Sequence, residues 1–546
     1  MKNKDLIKKM SCLLVPYIKK MMIVFLCLII SSIVSFFIPV INQKIIDYGF
    51  VEKKMSHILS FSTLLFILYM MNEIFNFIKY KKRAEIASDL HCRLLEDAMK
   101  HILKLKTSHI DALNKSELIN NMNIDIDNIL LITEEGVLFA VTQIFNVLGG
   151  ALGLYFINSK LLLIVLLFIP LKIGFILFLS KKRELNSRNF MSNFETFIHD
   201  FTDIILGIRV IRNFGIQNII KNEFNNASKA MAESKQKLEF SEHINLITDN
   251  VLVQLLNFLL YVFGAYLVVL TNLSIGSVIA FVSYSIYITS PITAILNTRY
   301  IFAGILPSVY RYFEFMNLEE EADGKENISD CIESIRLKNV CFSYDNTMIL
   351  NNLSLDINSK EKIAIIGKNG SGKTTLINLL LRFIVPSSGN ISVNGKNIQF
   401  YKLDEYRECF SVVSQDVFLF NKSIRENITL QRQIDDEKIF WAIKESGLED
   451  FVQQVSLDYV VGSNGCLLSG GQKQKIALAR ALVFDRPIVI FDEATSNIDS
   501  ISVSLMNNLV QHTLKDKIVL CITHTPQLLS TFDRIVEIKN QQLEEV

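Results

Sequence analysis

The chain has 546 residues, half of them hydrophobic and 20% charged, with 56 Lys and Arg against 55 Asp and Glu. This composition excludes a disordered protein, which needs low hydrophobicity and high net charge, and a mean hydropathy of +0.32 speaks against a wholly soluble one. A net charge of +1 lacks the basic excess of a general nucleic-acid binder, and at about 150 residues per domain the length allows three to four domain units.

Lys2, Lys4, Lys8, Lys9, Lys19 and Lys20 precede an uncharged run over 21–41. About 20 apolar residues at 1.5 Å each span a hydrocarbon core of about 30 Å. A signal peptide would carry a shorter apolar region, so a retained helix is expected. Further candidate spans lie at 57–80, 135–157, 161–180, 245–270 and 275–296, giving a membrane domain over 1–306. The intervening segments 81–134 and 181–244 are long, polar and flanked by Lys79, Lys81, Lys82 and Arg83, then Lys181, Lys182, Arg183 and Arg188. The positive-inside rule places both segments and the N-terminus in the cytoplasm. Stretches 81–105, 187–212 and 217–242 hold few turn residues and read as helical stalks reaching about 38 Å. Each pair reverses near 107–114 and 213–217.

Charged residues within spans are functional candidates. Lys172 sits midway along the fourth span and Glu73 toward the cytoplasmic end of the second. For Lys172 a cargo-facing role, a structural ion pair and a snorkelling side chain all stay open; facing cargo, it would suit an acidic group. Gly149 and Gly153 form G-x-x-x-G, which reads equally as close helix packing or ordinary membrane glycine. The eight cysteines have neither CxxC nor zinc spacing and read as isolated reduced thiols.

A polar linker is expected over 307–333, with Glu319, Glu320, Glu321, Asp323 and Gly324 at its centre. From 334 to 546, short apolar runs alternate with helices. Runs 362–367, 488–492 and 518–523 are apolar on both faces, as buried parallel strands are. Gly367, Lys368, Asn369, Gly370, Ser371, Gly372, Lys373 and Thr374 fit G-x-x-x-x-G-K-[ST] between a strand and a helix. Such glycines let backbone N–H groups converge on phosphate, with Lys373 reaching the β- and γ-phosphates and Thr374 on Mg²⁺. The strand ending in Asp492 and Glu493 supplies a carboxylate for Mg²⁺ and a general base for an attacking water. Ser469, Gly470, Gly471 and Gln472 open a second helix N-terminus suited to an anion. Two phosphate-binding elements in one domain cannot easily face the same nucleotide.

With these motifs in order, the chain resembles the ATP-binding cassette (ABC) exporters of the half-transporter kind. The resemblance implies a multi-domain protein. A six-helix all-α transmembrane domain of the type I exporter (type IV ABC) fold, with long cytoplasmic helical extensions, precedes an α/β P-loop ATPase cassette. It implies ATP and Mg²⁺ as cofactors, with Thr374, Gln415 and Asp492 on the metal. Tyr344 would stack on adenine, Asn369 and Thr375 would join the phosphate loop, and Gln415 and His524 would act beside Glu493 in catalysis. Asp499 would sit in the loop crossing to the partner site, where Asn497 replaces a more usual Ala. One P-loop and one Leu-Ser-Gly-Gly-Gln imply a second copy, with ATP sandwiched between them. Segments 107–114 and 208–218 resemble the coupling regions of the family. Thr525 stands where relatives commonly carry Arg, and the chain ends soon after its last expected strand, so weaker dimer reinforcement is expected. No cysteine-peptidase domain precedes the first span, so no leader trimming by such a domain is expected.

The function expected is ATP-driven export of a hydrophobic or amphipathic cargo (peptide or bacteriocin, drug or lipid) across the cytoplasmic membrane. Partners would be a second copy, membrane lipid and the cargo, with no nucleic acid. A regulatory or channel-like ABC protein and one half of a heterodimeric exporter are the alternatives.

Overall fold

The computed structural model describes the chain except residues 1–2, 113–114, 136, 272, 330, 345–346, 494–499 and 524. It divides into two compact units, residues 1–103 with 115–318, and residues 104–114 with 319–546.

The first unit is all helix: α1 Ile18–Lys44, α2 Met55–Ile102, α3 Lys115–Glu135, α4 Val137–Ile157, α5 Ser159–Leu206, α6 Gln217–Leu270 and α7 Ile275–Phe315. Among the described residues five helices are long and apolar enough to cross a membrane, and Thr142–Ile157 is a shorter apolar helix. The protein is a multi-pass membrane protein. Helices α2 and α5 run 48 residues each and α6 runs 54. At 1.5 Å per residue they measure about 72–81 Å, over twice the hydrocarbon thickness. No turn chemistry interrupts them where the sequence turns from apolar to charged, so each helix continues as a stalk. Asn158 starts α5 by accepting from the N–H groups of Lys160 and Leu161, and Ser274 starts α7 by accepting from Ser277.

The core of this unit joins α4, α5, α6 and α7 through Leu154, Val165, Leu256, Phe281, Tyr284 and Ile288. The glycine contacts differ from the G-x-x-x-G pair. A Cβ on Gly153 would lie 2.5 Å from the Tyr284 ring and one on Gly150 3.0 Å from Ile288, whereas Gly149 meets only Phe36 at 3.9 Å. The close approach therefore runs through Gly150 and Gly153, one turn apart on the face of α4 toward α7. The stretch expected to begin a linker at 307 is still α7 as far as Phe315. Pro307 lies inside this helix and is exposed, while Ile305, Val309 and Tyr312 are buried. Arg311 there forms an ion pair with buried Asp125 of α3.

In the second unit the acidic run is a docked strap. The N–H of Glu321 donates to Lys104 O at 2.7 Å and that of Lys106 to Glu319 O at 3.2 Å. The Glu321 carboxylate takes both arms of Arg407 at 2.7 and 2.8 Å. Asp323 accepts from the N–H of Leu403 at 2.8 Å.

Behind the strap stand two sheets. One is antiparallel, in the order β2 (Thr347–Asn358), β1 (Ser334–Tyr344), β4 (Ser388–Val393) and β5 (Lys396–Asn397). The other runs β10 (Gln542–Glu545), β9 (Arg534–Lys539), β3 (Lys362–Ile366), β8 (Ile518–Ile522), β7 (Ile488–Asp492) and β6 (Phe410–Val413). In it β9, β3, β8, β7 and β6 are parallel. Alternation along β7 divides its side chains between two cores. Ile488 and Ile490 pack with the P-loop helix α8 (Lys373–Leu380), and Val489 and Phe491 pack with a helical group centred on α9 (Gly470–Val483). That two-sided burial is why these strands are apolar at every position.

Candidate ATP site

Parallel strands deliver their loops to one sheet edge, the carboxyl ends, where ligands of open α/β sheets bind. Here adjacent β3, β8, β7 and β6 lead respectively into the loop from Gly367, Thr523, Glu493 and Gln415. The order in the sheet, not the order in the chain, makes these groups neighbours.

The loop after β3 needs its glycines. Gly367, Gly370 and Gly372 have φ of +150°, +78° and +104°, the region that L-residues avoid. A Cβ on Gly367 would lie 2.7 Å from Ile538 O, and one on Gly372 2.8 Å from Leu350 Cδ2. Lys373 is buried, and its ammonium curls back to donate to Gly367 O at 2.8 Å and Lys368 O at 3.2 Å. This uses two of its three protons and points the charge at the loop. The Ser371 hydroxyl is buried and has no hydrogen-bond partner among the described residues, a cost that a phosphate oxygen would offset. Asn369 and Thr374 are exposed, and Thr375 is buried.

Asp492 ends β7 half-buried. Burial, and then the charge of Glu493, push its carboxyl above the usual range, with Lys373 opposing. Glu493 holds φ +49°, its N–H donates to Ile522 O, and its Oε2 accepts from Gln415 Nε2 at 2.9 Å. Strained backbone of this kind costs about 1–3 kcal/mol and gathers at functional sites. Two adjacent carboxylates with one partly offset by lysine form a donor set with surplus negative charge, which a divalent cation fits.

Tyr344 stands exposed at the end of β1, its ring edge-on to Phe342 at 4.8 Å. The β1–β2 hairpin also presses Leu350 toward Gly372. Ser469 caps α9: its hydroxyl accepts from the Gln472 N–H while Gln472 Oε1 accepts from the Ser469 N–H, a reciprocal capping box. Gly470 and Gly471 have open space where a Cβ would be. Among the described residues nothing requires glycine there. This helix start belongs to the second core, whereas the phosphate loop belongs to the first. His524 and Asp499 lie outside the described residues, as do Asn497 and Ser496. Thr525 is described; its N–H donates to Thr523 Oγ1, and it stands at the N-cap position of the helix Pro526–Leu529 without a side-chain capping bond.

Sequence reasoning missed two features. One is Arg407, which holds the strap. The other is Asp249, which pairs with Lys172 at 2.9 Å in the first unit. An acid inside the 245–270 span was itself a signal for the second. Glu73 is exposed on α2.

Comparison with known proteins agrees with this architecture. Residues 21–292 match the ABC transporter transmembrane region and residues 350–496 match the ABC transporter family, together about three quarters of the chain. A protein named ATP-dependent lipid A-core flippase from Pseudoalteromonas translucida is 28% identical over 507 residues, covering 91% of this chain and 87% of that one. A protein of the same name from Pasteurella multocida is 26% identical over 559 residues, covering 100% and 96%. The structure of a bacterial Atm1-family ABC exporter with ATP bound superposes with a TM-score of 0.83 at 20% identity, covering 96% of this chain and 94% of that one. That likeness establishes a shared fold.

Proposed function

Since the chain belongs to the ABC transporters, a half-transporter exporter with its ATPase cassette fused to its membrane region, we propose that it works as a homodimer moving an amphipathic lipid across the cytoplasmic membrane. The observation carrying the lipid assignment is end-to-end similarity to proteins named lipid A-core flippases. The homodimer is supported by the cassette itself. Its phosphate loop and its capped Ser469–Gln472 helix start lie on different cores, and Gly470 and Gly471 leave room for an approaching group. A second copy would bring the missing half to each site, Asp499 included. Basic flanks of the long segments support a cytoplasmic N-terminus and cassette. Six spans, at the boundaries read from the sequence, fit that orientation.

ATP is the substrate of the cassette. The N–H groups of residues 367–375 and the Lys373 ammonium hold its phosphates, and Tyr344 offers a ring face to adenine. Thr374, Gln415 and Asp492 would hold Mg²⁺, which supplies positive charge to the phosphate oxygens when bound. Glu493 accepts the proton of the attacking water, and the Gln415 amide holds its carboxylate in place. His524 would contact the γ-phosphate. Binding at two shared sites draws the cassettes together, and hydrolysis lets them part. Alternating access requires that the closed dimer bind ATP more tightly than the open one.

The test is ATP turnover by the purified chain, as the only protein in lipid nanodiscs. Turnover that rises with one amphipathic lipid class supports a competent homodimer. Glu493→Gln should lower turnover by about 100-fold or more with ATP binding retained. Normal turnover in that variant would sink the general-base assignment, and a wild-type chain that binds ATP without hydrolysing it would sink the homodimer.

A further inference from the structure

Lys172 takes no part in the ATP site, yet the fold seals it completely. It lies on α5 about 20 Å from the helix start, inside the hydrocarbon by depth. Its ammonium meets Asp249 Oδ1 of α6 at 2.9 Å and donates to Thr289 O of α7 at 3.1 Å. Thr293 Oγ1 donates to the same Oδ1 at 2.9 Å. A charge here is expensive alone, and the pair with its added hydrogen bonds offsets that cost.

The two partners are not treated alike. Lys172 has 0% of its side chain exposed, while Asp249 keeps 23%. The Asp249 side chain lines a pocket of about 340 Å³ with Lys172, Thr289, Ser290, Thr293 and Ile286, and of the two partners only Asp249 exposes side-chain surface. The pocket opens where α7 itself opens. Val278, Phe281, Tyr284, Ile288 and Thr289 are buried, whereas Ile275, Ile279, Ile286 and Ser290 form its exposed stripe. One turn away on α6, both amide atoms of Asn245 are buried without a partner. A pair serving only to fasten three helices would have both carboxylate oxygens enclosed. This one turns its base inward and its acid outward, so a group entering the pocket meets an acceptor already neutralised by lysine.

We propose that the Asp249 edge, held by Lys172 and Thr293, is a cargo subsite for an amphiphile whose headgroup donates hydrogen bonds, through an ammonium or hydroxyl. It rests on the lipid-export reading and names the headgroup chemistry that export would select. Neutral net charge at the pair makes donor geometry, not headgroup charge, the selecting feature.

The experiment compares acyl-labelled phosphatidylethanolamine and phosphatidylcholine, which share net charge and tails but differ in N–H donors, with phosphatidic acid as the acidic arm. Equilibrium binding to the full chain in nanodiscs and ATP-dependent movement in vesicles are both read. Phosphatidylethanolamine should bind about tenfold tighter than phosphatidylcholine, the worth of one hydrogen bond to a charged group. The double variant Lys172→Met/Asp249→Leu, which leaves no unpaired ion, should lose that preference while melting as a folded protein. Equal binding of the two lipids by the wild type, needing no variant, would overturn the proposal. So would a preference that survives in the double variant, or one for phosphatidic acid that depends on Lys172. If binding discriminates but no lipid moves with ATP, the subsite stands and the lipid-export reading falls.

Discussion

Asp492 and Glu493 sit side by side at one strand end, and the fold treats them differently. Asp492 is driven toward its protonated form by burial and by its neighbour's charge, while Glu493 is tethered by Gln415. A carboxyl whose folded pKa is raised binds more protons folded than unfolded. Its stabilising contribution is complete below the unfolded pKa and is lost as pH rises through the raised value. At neutral pH an ionised Asp492 therefore costs stability. Asp492→Asn should stabilise the chain at pH 7 by about 0.5–2 kcal/mol, and so raise its thermal midpoint, because it removes a carboxylate whose ionised form burial and Glu493 oppose. The advantage should shrink toward acid pH while ATP turnover is lost. An unchanged or lowered midpoint at pH 7 would show that the surroundings of Asp492 do not oppose its charge. Thiol chemistry follows burial too. Cys521, inside β8, is pushed up to about 12 chiefly by burial, so alkylation at pH 8 should spare it while exposed Cys331 and Cys466 react.

Helix pairing is decided by which glycine lacks room. Gly150 and Gly153 admit α7 against α4, and a Cβ on Gly149 would make only ordinary contact with Phe36 at 3.9 Å. Gly153→Val should cost about 1–3 kcal/mol through forced displacement of Tyr284, whereas Gly149→Val should cost little. Thermal midpoints of the two variants in the same detergent check this, and equal losses would refute the packing assignment. The G-x-x-x-G spacing in the sequence identified the right helix and one right residue. Its partner residue was hidden, because spacing along one helix carries no information on where the other helix crosses. The stalks were plainer. Continuous helical composition past each basic flank needs no tertiary help to be read: α2 and α6 run straight through, whereas α5 ends at Leu206, short of the expected 212, and a separate helix Ile208–Asn213 follows Gly207.

Across the whole molecule, one phosphate loop and one capped Ser469–Gln472 start per chain make activity a property of two chains. Mixing wild-type chains with Glu493→Gln chains before reconstitution should lower ATP turnover more steeply than in proportion to the wild-type fraction. A strictly proportional fall would mean that each site works independently of its partner. The strap at 319–323 belongs to this scale as well. It reads in sequence as a free acidic linker, and Arg407, Arg382, the Lys106 side chain, the N–H of Leu403 and the backbone of 104–106 turn it into a fastened segment.

Local chemistry was legible wherever function depends on neighbours along the chain. The phosphate loop, the carboxylate-ended strand and the capped helix start each lie within a few residues, and their glycines, lysine and hydroxyls announce themselves. So do the apolar runs, because a bilayer demands unbroken length. What depends on distant pairings came from the tertiary structure alone. The contact of Gln415 with Glu493 arises from the order of strands in the sheet. The pairing of Lys172 with Asp249, and which of the two faces the pocket, arises from how α5, α6 and α7 pack. A side chain's residue type is written in the sequence, but its partner is chosen by the fold that brings remote segments within hydrogen-bonding reach.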